Sequence, residues 1–90
     1  MPKFNSIYGE VEFWGEGYSS GFILNGNQRQ VQLTAGVRIH KWKWLYEGFA
    51  KDMRTGIIAT SKYWKSENGA KEHAIEVLIG KLITAGHINN

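Results

Sequence analysis

Cysteine is absent from the 90-residue sequence, which excludes disulfides, cysteine-based zinc ribbons, iron–sulfur clusters and thiol nucleophiles together. Proline occurs once, and the turn signals come instead from eleven glycines. No stretch approaches the roughly 20 uncharged apolar residues of a membrane span. The opening Met1-Pro2-Lys3-Phe4-Asn5-Ser6 lacks the apolar run of a signal peptide, so a cytoplasmic protein with no membrane partner is expected. At this length the chain reads as a single small domain over residues 1–90, with little room for a deep substrate cavity. Hydrophobic residues make up 42% and charged residues 21%, a composition that folds.

The net charge of +3 is unevenly placed. Residues 29–65 hold Arg29, Arg38, Lys41, Lys43, Lys51, Arg54, Lys62 and Lys65 against Glu47 and Asp52, a net of +6. The flanking segments, 1–28 and 66–90, are net acidic. The same basic stretch carries Trp42, Trp44, Tyr46, Tyr63 and Trp64. Cations gain from releasing the counterions condensed on phosphates, and aromatic faces stack on bases whatever their sequence. The plain alternative is a solvated basic sheet face with tryptophans in the core.

Val11 and Phe13 alternate with Glu10, Glu12 and Trp14, the period-2 pattern of a half-buried strand. The glycine-rich run from Gly15 to Gly21 predicts a loop, and its spacing does not match a dinucleotide fingerprint. Asn25-Gly26 is the strongest turn signal, predicting a tight hairpin between strands near 20–25 and 28–34. Ala35-Gly36 then separates these from strands at 37–42, 44–51 and 57–64. From Ser66 the pattern becomes helical, with Gly86 placed to end the helix near 85.

The fold class is therefore α+β: an antiparallel sheet of about five or six strands followed by a single C-terminal helix packed on it. On that helix Ala70, Ala74, Val77, Leu78, Leu82 and Ala85 form the stripe expected to face the sheet. Ile75, Ile79 and Ile83 form an adjacent stripe, making the apolar arc too wide for one contact. Either the sheet curls around the helix, or the isoleucines form a partner interface, including that of a homodimer.

Catalytic chemistry is poorly represented. His40, His73 and His87 have no metal-like neighbours in sequence, and the His73/Glu76 pair reads as a helix-surface contact. Glu10 and Glu12 share a strand face without a cleft to work in. No catalytic residue, metal or cofactor is assigned. The leading expectation is a nonenzymatic nucleic-acid-binding domain using Arg38, His40, Lys41, Trp42, Lys43, Lys62, Trp64 and Lys65. The alternative is a small regulator or inhibitor of the kind a phage or mobile element encodes, such as an anti-defence protein, docking on a larger protein through its aromatic strands or helix.

Gly36-Val37-Arg38, Trp44, the Thr55-Gly56 turn and the helix register from Ala70 to Ala74 resemble, in outline, the three-strands-then-helix DNA-binding modules of the AP2 type and of phage-type integrase arm-binding domains. Ser66 to Leu78 is similar to the end of a double-stranded RNA-binding domain, whose first helix has no counterpart here. Both resemblances agree in direction with the charge distribution.

Overall fold

The computed structural model describes residues 2–89. Six strands, β1 (Lys3–Ser6), β2 (Gly9–Glu16), β3 (Ser19–Leu24), β4 (Asn27–His40), β5 (Lys43–Asp52) and β6 (Ile58–Trp64), precede one helix, α1 (Glu67–Thr84). Each strand pairs antiparallel with the next, in the spatial order β1-β2-β3-β4-β5-β6. The sheet curls and α1 lies along its concave face, so the α+β architecture read from the sequence is the one observed.

Turn and cap chemistry explains the firmest elements. Asn25 and Gly26 both adopt positive φ, 50° and 80°, as a type I′ hairpin turn requires. The Ser66 hydroxyl accepts the Gly69 N–H at 2.9 Å, capping the helix start. At the other end the Gly86 N–H donates to Ile83 O and the His87 N–H to Leu82 O. This pair of bonds around a left-handed Gly86 (φ 79°) is a Schellman stop.

Two features depart from the expected elements. The glycine-rich run is mostly strand, because Gly15 and Glu16 pair with Ser20 and Ser19 across a turn at Gly17-Tyr18, and the Ser20 hydroxyl, 2.6 Å from Val31 O, shares the Leu33 N–H at 3.0 Å with Gly17 O. The expected break at Ala35-Gly36 does not occur either. Those residues pair with Gly48 and Glu47, so β4 runs on uninterrupted.

The core joins Val11, Phe13, Phe22, Leu24, Val31, Leu33, Ala50 and Ala59 of the sheet to Ala74, Ile75, Leu78, Ile79 and Leu82 of the helix. Here the helix stripe is corrected. Val77 and Ala85 are exposed, whereas Ile75 and Ile79 are fully buried and Ile83 is half-buried against the core. Of the two alternatives for Ile75, Ile79 and Ile83, a curled sheet or a partner interface, the curled sheet is observed: it covers Ile75 and Ile79 fully and Ile83 in part, because it contacts a wider helical arc than a flat one. Close approach is possible at Gly48, where a Cβ would come within 2.1 Å of Ala70 O. Ser61 donates to that same oxygen and accepts the Gly48 N–H. Glu76 accepts the Ile7 N–H, and the Lys81 ammonium donates to Ile58 O, tying α1 to the β1–β2 turn and to β6.

Candidate functional site

The long β4–β5 hairpin projects beyond the packed body, and the molecule measures 41 × 23 × 23 Å. Its distal part, from Gly36 to Glu47, forms an arm. Directly opposed residues in a sheet lie on the same face, so the register divides the arm cleanly. Val37 opposes Tyr46 and Ile39 opposes Trp44. These four continue the core-facing side of β4 and β5 past the helix. Val37, Ile39 and Trp44 are consequently exposed, by 46%, 59% and 69%.

The outer face is basic. Arg38 opposes Leu45 and His40 opposes Lys43, with Glu47 beside them. The Arg38 guanidinium meets the Glu47 carboxylate at 2.8 Å. On the neighbouring strand a bulge opposite Glu47 turns Lys62 and Tyr63 outward. Lys62 lines a shallow groove with Thr34, Gly36, Glu47 and Thr60. The Tyr63 ring lies against the His40 imidazole at a centroid distance of 4.2 Å.

At the tip, Lys41 and Trp42 form a two-residue turn with φ of 50° and 66°. That conformation costs an ordinary L-residue roughly 1–2 kcal/mol, and Asn-Gly is the usual occupant. Trp42 is 96% exposed. Tyr63 also has positive φ, so three of the four non-glycine residues with positive φ among the described residues sit on or beside the arm. Strain concentrated at an exposed aromatic and its neighbours points to a function outside the fold itself.

The arrangement brings together five of the eight expected contact residues, Arg38, His40, Lys41, Trp42 and Lys43, with Lys62 adjoining on β6. It separates the other two. Trp64 opposes Tyr46 on the inner face and stacks on His73 with ring centroids 3.5 Å apart, so one face of its ring is taken. Lys65 lies beyond β6 in the link to α1. Of the basic segment's cations, Arg29 is withdrawn altogether. It is buried in a two-bond pair with Asp52. Lys51 and Arg54 stand at the far end of β5. Lys41, Lys43, Lys62 and Lys65 have no acidic partner among the described residues.

The apolar inner strip of Val37, Ile39 and Trp44 is absent from the expected site, although the alternation Val37-Arg38-Ile39-His40 already separates the two faces. Tyr63 carried no such signal, because its outward turn depends on a bulge.

No group of three or more His, Asp or Glu side chains among the described residues is placed to hold a metal ion. No described helix is long and apolar enough to cross a membrane. No protein-family model, curated protein or solved structure matches the chain. The outline likeness of the Gly36–Leu82 segment to DNA-binding modules therefore rests on element order, three strands and a helix, alone.

Proposed function

We propose that this protein is a nonenzymatic nucleic-acid-binding domain of the cytoplasm whose contact element is the β4–β5 arm. The supporting observation is the tip: Lys41, Trp42 and Lys43 project together from the body, with Arg38, His40 and Lys62 behind them on one face. The cations position phosphates, and the exposed Trp42 ring supplies a stacking surface.

Fluorescence anisotropy with labelled duplex and single-stranded oligonucleotides at 50 mM salt tests the reading. Binding weakens steeply with salt, and replacing Lys41 and Lys43 with Ala lowers the log–log slope by about 0.7 to 0.9 per lysine. Replacing Lys51 and Arg54, at the opposite end of β5, leaves the slope unchanged. Absence of binding to either oligonucleotide, or a slope indifferent to Lys41 and Lys43, overturns it.

The exposed strip of Val37, Ile39 and Trp44 favours the second reading, a small regulator that docks on a larger protein. Under that reading Ile39→Asp abolishes partner capture, whereas Lys41→Ala does not.

A further inference from the structure

Beyond Leu33, one edge of β4 has no neighbouring strand among the described residues. β3 pairs with β4 only from Asn27 to Gln30, and the last bonds on that side join Leu33 to Gly17, Gly17 N–H to Leu33 O at 2.8 Å and Leu33 N–H to Gly17 O at 3.0 Å. Backbone groups alternate sides along an antiparallel strand. Leu33 points to the β3 side, so Ala35, Val37 and Ile39 point the same way, into open space. Thr34, Gly36, Arg38 and His40 bond to β5. His40 closing the two-residue turn against Lys43 fixes the same phase independently.

An edge presenting three consecutive outward N–H and C=O pairs is a template for another strand. Here it carries no proline and no bulge, and its Val37 and Ile39 side chains are exposed. We infer that two copies of this chain pair antiparallel through β4, with a two-fold axis at Val37, forming one continuous sheet.

The occupant and register follow from the edge itself. Antiparallel edge pairing of identical strands is self-complementary. The open edge is bounded by Gly17 at Leu33 and by the turn at Lys41, and Val37 is its midpoint. In that register Val37 bonds to the partner's Val37, and Ile39 to the partner's Ala35, using all three outward residues of each copy. Arg38 falls opposite the partner's uncharged Gly36. A shift of the axis to Arg38 sets two guanidiniums face to face, and a shift to Gly36 brings Ile39 against Leu33, whose edge Gly17 already occupies. The chosen register also merges the two strips of Val37, Ile39 and Trp44 into one apolar surface and lays the two basic outer faces side by side.

The lack of cysteine makes single-cysteine variants clean reporters. Residues opposed in a hydrogen-bonded antiparallel pair have Cα atoms about 5.5 Å apart, within the roughly 4.4–6.8 Å that a disulfide spans. Under mild oxidation Val37→Cys gives a covalent dimer on non-reducing electrophoresis. Ile39→Cys alone does not, because the two copies of that position lie about 13 Å apart along the strands. Mixing Ile39→Cys with Ala35→Cys restores the cross-link. In sedimentation the wild type shows a concentration-dependent dimer. Val37→Pro removes an outward N–H while sparing the bonds to β5, and its circular dichroism remains that of the folded chain while it sediments as a monomer.

A wild type that stays monomeric at millimolar concentration, or cross-linking as fast through Arg38→Cys as through Val37→Cys, overturns the proposal. None of these readouts involves nucleic acid, so they succeed or fail independently of the function proposed for the arm.

Discussion

The guanidinium of Arg29, at the start of β4, grips the carboxylate of Asp52, the last residue of β5, through two parallel 2.9 Å hydrogen bonds. Asp52 is fully buried and also accepts the Thr55 N–H and hydroxyl, at 3.0 and 2.7 Å. The pair thus locks the β5–β6 turn onto β4. Removing one partner leaves the other buried and uncompensated. Asp52→Leu should therefore destabilise the fold by about 3 to 5 kcal/mol, whereas the double change with Arg29→Met costs much less. Urea unfolding of both variants measures the difference.

The same pair sets the acid limb of stability. Burial on its own pushes the Asp52 carboxyl up, but hydrogen bonds from Arg29 and Thr55 outweigh it and hold the group below its ordinary 3.8. A carboxyl with a depressed folded-state value contributes stability that is complete above its unfolded value and fades as pH falls through the folded one. Melting temperature should therefore drop below about pH 4. Asp52→Asn flattens that limb while lowering stability at neutral pH. An unchanged acid limb in this variant would assign the loss to other carboxylates. The raised Arg29 value, caused first by its hydrogen bond to Asp52, acts only in strong alkali.

Burial of Ile79 settles how its substitution must behave. A lysine there puts an unpaired ammonium among Leu78, Leu82 and the sheet, so Ile79→Lys should unfold the protein rather than yield a folded chain with altered association. Val77→Lys, on the exposed side of the same helix, should keep the wild-type melting temperature within a few degrees. Circular dichroism melts of the two variants make the comparison.

What was legible in the sequence was local chemistry. Asn25-Gly26, Ser66 and Gly86 specify their own turn and caps through φ preference and a hydroxyl within reach of an N–H. The strand at 37–42 was legible too, and its alternation Val37-Arg38-Ile39-His40 puts Arg38 and His40 on one face. What stayed hidden depends on partners distant in sequence. Ala35-Gly36 reads as a break until Glu47 and Gly48 are opposite it. The choice of Ile75 and Ile79 over Val77 depends on sheet curl, and the phase of Lys43 depends on a turn that Lys41 and Trp42 do not advertise. Even charge misleads locally, since Arg29 is spent on Asp52 and Arg38 is shared with Glu47.

That turn yields the sharpest separation of stability from function. Trp42 adopts a φ of 66° and touches little of its own fold, so its ring contributes little to stability while its backbone is strained. Trp42→Gly removes both ring and strain and should raise stability by roughly 1 kcal/mol. Trp42→Ala removes the ring but keeps a Cβ in the left-handed region, and should leave stability near the wild-type level. If Trp42 stacks on bases, both variants lose a similar factor in oligonucleotide affinity, on the order of 1 to 3 kcal/mol. Urea titrations and anisotropy run side by side decide it: equal affinity losses with unequal stabilities identify a residue kept for contact at the expense of the turn. Wild-type affinity in both variants would remove Trp42 from the site and leave the lysines as its only contacts at the tip.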